Sequence, residues 1–299
     1  MFIKHPCQCK AQPLRIPGTK NMVQYSQIIP GVGNMSQKSD SRPVAVFDSG
    51  LGGLSVLACA RALAPEESFI YLADLHNAPY GEKSLEEIRA CVDRVFEQLM
   101  RENVKALLVA CNTATASSVA ILRRQHPDFP IIGMEPALKT AATQYEGGTA
   151  VLATPATLSL GMYARLKARF ESDMVLRSIP CPGLSHMIDT DASEEAIQEY
   201  LYALLPPGDP QIRNIVLGCT HYVLIAPLIK RLYPDHHVIN GNLGTVRHLL
   251  SKLNELGLST SRDEEGSVRY LCTEEIPEIE QKMAAIESAA RELRVWETV

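Results

Sequence analysis

The stretch NIVLGCTHYVL, residues 214–224, decides how this chain is expected to fold. NIVL is a short apolar run ending at Gly218, of the kind that makes a strand buried on both faces. It leads into Cys219, Thr220 and His221, a thiol, a hydroxyl and an imidazole in a row. KALLVACNTATA (105–116) has the same form: an apolar strand, a terminal Cys111, then Asn112, Thr113 and Thr115 opening a helix. One buried cysteine is most simply packing. Two at matching positions weigh toward function.

Outward from these two strands, order is expected to begin at Arg42–Pro43. VAVF (44–47) is a strand followed by the turn DSGLGG (48–53), and a helix runs from Leu54 to about Leu63. SFIYLAD (68–74) is a second strand. SLEEIRACVDRVFEQLMREN (84–103) has apolar residues at helical spacing, with Ser84 and Glu87 placed as a capping box. After the strand at 105–111, FPIIGM (129–134) is another. The rhythm then repeats. TAVLAT (149–154) turns into a helix, MVLRSIPC (174–181) is a strand, SEEAIQEYLYALL (193–205) a helix, and 214–219 a strand. Asp48 and Cys111 are 63 residues apart, Thr154 and Cys219 are 65. The economical reading is an α/β fold of two pseudo-symmetric units with mostly parallel central sheets, each bearing a cysteine at a strand's carboxyl end. Ligands of such sheets bind at those ends. VRYLC (268–272) and 276–295 add one more strand and helix.

Bulk properties exclude other classes. The chain has 299 residues, 46% apolar and 21% charged, with a net charge of −5, which gives no reason to expect nucleic acid binding. No apolar run reaches the roughly 18 residues of a membrane span, and the N-terminus has no signal-peptide core. Residues 1–42 carry six basic residues against Asp40 alone, and they are expected to be a disordered basic extension, with Met22 and Met35 as alternative starts. Cys7 and Cys9 with His5 lack a second ligand pair, so no metal clip is expected there. Most of the eight cysteines sit singly in apolar or helical contexts, which suits reduced thiols in a cytoplasmic protein rather than disulfides.

A thiol at a helix N-terminus meets unpaired amides and the positive end of the helix dipole. Both favour thiolate and suit a carboxylate ligand. His221 is placed to exchange a proton with Cys219. Two thiols facing one pocket suggest a two-base reaction, in which one removes a proton from carbon and the other delivers one to the opposite face, inverting a stereocentre. The competing reading, a single nucleophilic cysteine with a helper histidine, leaves Cys111 unexplained. Gly50, Gly52 and Gly53 have the wrong spacing for a dinucleotide fingerprint, so Asp48 and Ser49 are read as site residues. In APYGEKS (78–84), Pro79 and Gly81 shape a turn that lets Tyr80 face a ligand or simply pack.

These residues together resemble the glutamate racemases of the aspartate/glutamate racemase superfamily. FDSGLGGLSV (47–56), APYGEKS, ACNTATA (110–116), GMEPALK (133–139), ATPATLSLGMY (153–163) and VLGCTHY (216–222) match that family's blocks in order, across about 43–225. The resemblance implies Cys111 as the base for D-glutamate, Cys219 as the base for L-glutamate, and Asp48 and His221 as their helpers. It further implies Asp48, Ser49, Tyr80, Gly81, Asn112, Thr113, Thr154, Thr157, Thr220 and His221 as substrate contacts. No cofactor and no metal are implied, the product D-glutamate serves peptidoglycan synthesis, and the family suggests a cytoplasmic homodimer. It also implies a first α/β domain of 43–138 plus 248–299, a second of 139–247, and an active site in the interdomain cleft. Three positions depart from the pattern: Asp189 stands where a glutamate is usual, Val223 where a proline follows the cysteine motif, and Asn240–Gly241 where an Asp-Ser-Gly-like motif is common. Within the fold, a racemase for aspartate or another amino acid and a non-catalytic regulatory protein are the alternatives.

Overall fold

The computed structural model describes residues 39–297, so the extension and the Cys7–Cys9 pair lie almost wholly outside the described residues. Nine strands are described: β1 Val44–Asp48, β2 Phe69–Ala73, β3 Ala106–Val109, β4 Ile131–Gly133, β5 Gly148–Ala153, β6 Leu176–Pro180, β7 Ile212–Leu217, β8 His237–Asn240 and β9 Val268–Cys272. They form two sheets, ordered β4-β3-β1-β2-β9 and β6-β5-β7-β8, and all of their pairings are parallel. Read from the other edge, the second sheet runs β8-β7-β5-β6. That is the order of β4-β3-β1-β2, so the two halves share one topology and β9 is an addition to the first.

Burial explains why these runs are strands. Every residue of β1, β2, β3 and β5 is buried, the signature of parallel strands covered on both faces. The helix Leu85–Met100 turns Ile88, Cys91, Val92, Val95, Phe96 and Leu99 inward, and its capping box forms with Ser84 and Glu87. All eight strands expected from sequence are present. β8 was not anticipated, because HVIN is only four residues long and half polar. The helix Asn242–Glu255 follows it and spans residues 247–248, where the change of unit was expected. It packs on the helix Leu54–Leu63 and on β4, so the chain returns to the first sheet's layers at Gly241. Among the described residues no helix is long and apolar enough to cross a membrane.

The fold also begins earlier than expected. Ser39 and Asp40 are bonded to Ser259 and Ser261, so residues 39–42 belong to the ordered body rather than to the extension. The cause is Lys105. Its fully buried ammonium donates to the Asp40 carbonyl at 2.7 Å, to Glu67 Oε2 at 2.6 Å and to Thr260 Oγ1 at 2.9 Å. Thr260 N closes the cluster on Glu67 Oε1 at 2.8 Å. A buried charge is tolerated only when paired and hydrogen-bonded. Lys105→Ala leaves Glu67 uncompensated and is expected to cost about 3–5 kcal/mol in urea unfolding; a loss below about 1 kcal/mol would contradict this reading of the cluster.

Candidate active site

In both sheets the order reverses beside the first strand, at the β1/β3 and β5/β7 pairs, and ligands of doubly wound sheets bind at such points. Asp48 ends β1 and Cys111 follows β3. Thr154 follows β5 and Cys219 follows β7. Ser49, Tyr80, Gly81, Asn112, Thr113, Thr154, Asp189, Thr220 and His221 join both cysteines around one cavity. The cavity is small, about 20 Å³, where one water needs about 10–15 Å³. None of its lining residues is a lysine or arginine.

The two halves meet through glycine. A Cβ on Gly50 would lie 2.8 Å from His221 Nε2, and one on Gly52 would lie 2.6 Å from His221 Nδ1. On Gly81 it would fall 2.9 Å from Thr154 Cβ. Gly50, Gly52 and Gly81 therefore admit the second sheet's turns, while Gly53 makes room for Asp48 and Tyr71 of its own half. Asp48 sits at this seam, fully buried. Its carboxylate accepts from Ser49 N at 2.8 Å, from Gly53 N, and from Thr220 Oγ1 at 3.1 Å. Burial raises its pKa, opposed by the nearby His221 and by these donors.

The thiols have unlike surroundings. Cys111 caps the helix start at Asn112–Ala114, with Ala114 N donating to Sγ at 3.4 Å and Ser49 Oγ at 3.4 Å. The expected thiolate does not result. Burial, then the Asp48 carboxylate, push the Cys111 thiol up to about 12, and the long contacts from Ser49 and the Ala114 amide do not offset them. Asp48 thus acts on Cys111 through its charge, and the side chain touching the sulfur is Ser49. Cys219 Sγ lies 3.8 Å from His221 Nδ1, and His221 Nε2 lies 3.0 Å from Asp189 Oδ2. Burial works against a charged imidazole here, but the Asp189 carboxylate and Cys219 outweigh it and hold His221 well above its ordinary value. Asp189, from the short helix Leu184–Asp189, thereby becomes the third member of a Cys–His–Asp chain.

Three expected contacts are placed differently. Asp48 is fully buried at the seam with both oxygens engaged and does not line the cavity. Thr157 does not line the cavity. It is fully buried and bonds Thr113 Oγ1 at 3.0 Å and Thr154 Oγ1 at 2.9 Å, a hydroxyl cluster that joins the two halves. Tyr80 borders the cavity, but its hydroxyl donates to Asp74 Oδ2 at 2.5 Å. Ser185 lines the cavity and was missed. Its position four residues before Asp189, on one helical face, was the available signal.

The family model described as Asp/Glu/Hydantoin racemase matches residues 55–249. The chain belongs to that family. It is 40% identical over 240 residues to a glutamate racemase of Clostridium acetobutylicum, covering 79% of this chain and 93% of that one. The crystal structure of Escherichia coli glutamate racemase with L-glutamate and the activator UDP-MurNAc-Ala aligns with a TM-score of 0.72 at 28% identity, over 83% of this chain and 95% of that one. That of the Francisella tularensis enzyme with D-glutamate gives 0.71 at 26%, over 85% and 94%. This chain is an amino-acid racemase, and its α/β fold is the one those enzymes share.

For this racemase, a Cys111 thiol pushed up to about 12 reacts slowly at neutral pH. Its alkylation, followed by mass spectrometry, is expected to rise about tenfold per pH unit through pH 10. A plateau below pH 9 would show the burial argument wrong. The same shift means that the folded state holds this proton more tightly than the unfolded chain. Its stabilising contribution is complete below the ordinary thiol range and is lost as pH rises toward about 12.

Proposed function

We propose that this racemase interconverts L- and D-glutamate without a cofactor, using Cys111 and Cys219 as the two acid–base groups on opposite faces of the α-carbon. The observation that carries the reading is the pair of thiols at equivalent strand ends of two sheets of one topology, lining one cavity. Glutamate is supported as substrate by the relatives and by the two glutamate-bound structures above.

The unlike surroundings suit opposite tasks. Cys111, whose thiol burial pushes up, suits the acid, and Cys219 has His221 Nδ1 beside its sulfur at 3.8 Å. Cys219 then takes the α-proton of one enantiomer, L-glutamate by the family resemblance, and Cys111 delivers a proton to the other face. The reverse reaction exchanges the roles. Only carbon–hydrogen bonds break and form, so no electrons change hands. Ser49, Asn112, Thr113, Thr154 and Thr220, with the backbone amides at Tyr80 and Gly81, would hold the ammonium and both carboxylates, and Asp48, a contact by the family resemblance, stands behind them at the seam. With no lysine or arginine lining the cavity, recognition rests on oriented hydroxyls and amides together with His221. Because the cavity is smaller than an amino acid, binding requires the turns bearing Ser49 and Thr220 to part and then reclose.

The remaining parts of the reading are a two-domain division following the two sheets, a cytoplasmic location, a homodimer, and supply of D-glutamate to peptidoglycan. The six cysteines of the described residues are free thiols, which suits a reducing compartment.

Cys111→Ser and Cys219→Ser are each expected to lower racemisation of both enantiomers by about 10²–10⁴-fold, measured by polarimetry. In deuterated water the wild type is expected to place deuterium mainly in the product enantiomer. Near-wild-type rates from both single variants would sink the two-base mechanism, and a substrate panel that favours aspartate would sink the choice of glutamate.

A further inference from the structure

The imidazole of His221 lies along the DSGLGG turn. A Cβ on Gly50 would meet Nε2 at 2.8 Å and Cε1 at 2.9 Å, and one on Gly52 would meet Nδ1 at 2.6 Å. These two glycines thus back both ring nitrogens, Nδ1 at 3.8 Å from Cys219 Sγ and Nε2 at 3.0 Å from Asp189 Oδ2. Each glycine has its carbonyl held from behind by a hydroxyl. Tyr71 Oη donates to the Gly50 carbonyl at 2.7 Å, and Ser55 Oγ donates to the Gly52 carbonyl at 2.8 Å. Both side chains are fully buried, and neither lines the cavity.

We infer that Tyr71 and Ser55 are positioning residues for His221: through the Gly50 and Gly52 carbonyls they hold the surface on which the helper of Cys219 rests. The inference rests on the two-base reading, in which His221 serves Cys219. A turn with three glycines has a soft backbone, and fastening two of its carbonyls removes that freedom where the ring touches it. The bonds also have a set direction. Asn242 Nδ2 donates to Ser55 Oγ at 3.0 Å, which turns the Ser55 hydrogen toward Gly52. Burial, then the nearby Asp48 carboxylate, raise the Tyr71 hydroxyl well above its ordinary value, so it stays a donor at neutral pH.

The part of the turn that serves Cys111 is held separately. Ser49 N and Gly53 N donate to the Asp48 carboxylate, and Ser49 Oγ is the group that meets Cys111 Sγ, at 3.4 Å. Gly50 and Gly52 meet His221 instead. Deleting either hydroxyl therefore bears on the Cys219 step and leaves the Cys111 contacts in place.

Tyr71→Phe keeps the ring, and Ser55→Ala keeps the helix, so each variant of the whole enzyme loses little besides a hydroxyl. In Tyr71→Phe, kcat/KM for each enantiomer is expected to fall about tenfold. In Ser55→Ala, where Ser55 N still donates to the Gly52 carbonyl at 3.1 Å, the fall is about threefold, and in the double variant about thirtyfold. The enantiomers have equal energy, so any defect lowers kcat/KM equally from both sides, and isotope effects must separate the two thiols. They are read on kcat/KM with α-deuterated L- and D-glutamate. A slower Cys219 step makes removal of deuterium from L-glutamate more fully rate-limiting and its removal from D-glutamate, by Cys111, less so. The isotope effect is therefore expected to rise from L-glutamate and fall from D-glutamate, which a general structural loss would not produce. Any other pattern of isotope effects, or a double variant within about twofold of wild-type kcat/KM, would overturn the positioning role while leaving racemisation intact. A wild-type enzyme that does not racemise glutamate would overturn the glutamate reading and this inference with it.

Discussion

The site depends on the carboxylate of Asp48, buried at the seam where the turns after β1 and β7 meet. Burying a carboxylate costs several kcal/mol unless donors surround it. Here the donors come from both halves: Ser49 N and Gly53 N from its own turn, and Thr220 Oγ1 from the turn that carries Cys219. The same contact that satisfies Asp48 therefore fixes the second cysteine's turn against the first. Gly50 and Gly52 make the approach possible, since a side chain at either would occupy the space of the His221 ring. A substrate that parts these turns must offset the loss of the Thr220 bond. Its carboxylates are suited to do so, because the Thr220 hydroxyl that would be released lines the cavity.

Asp48 also breaks the symmetry that the topology creates. Two sheets of one order bring two cysteines to equivalent places, yet one thiol lies near a buried carboxylate and the other beside a charged imidazole. A racemase must serve two mirror-related substrates, but its resting state needs one base and one acid, not two of either. Unlike neighbours on like scaffolds supply that difference. The repeated fold sets where the thiols stand, and the unrepeated residues give each its own neighbours.

Much of this was legible because the strands are buried runs with polar ends, and burial of a parallel strand leaves a local mark. NIVL and ALLV announce themselves, and so do the cysteines that follow them. What stayed hidden depends on distant partners. DSGLGG shows flexible turn chemistry, but only the fold reveals that Gly52 faces a residue 169 positions later. The expectation of a Cys111 thiolate failed for the same reason: the helix-terminus amide is local and visible, whereas the depth of the sulfur and the nearness of Asp48 are not. Thr157 is in the motif but behind the site, because a helix turn points it at Thr113. β8 escaped because four half-polar residues, HVIN, carry too little pattern to mark a strand.

The departures from the family's pattern have physical readings of their own. Asp189 is shorter than glutamate, yet the helix Leu184–Asp189 brings it to His221 at 3.0 Å, so the shorter carboxylate still reaches. Val223 is buried in the apolar core. At the end of β8, Asn240 Oδ1 accepts from Asn242 N at 3.1 Å, a task an aspartate could also perform. Its Nδ2 donates to the Val295 carbonyl at 3.2 Å, which no carboxylate can do. Asn242 in turn donates to Ser55 at 3.0 Å on the helix that follows the DSGLGG turn. Exchanging a charge for an amide at residue 240 thus ties the C-terminal segment to the second sheet's edge.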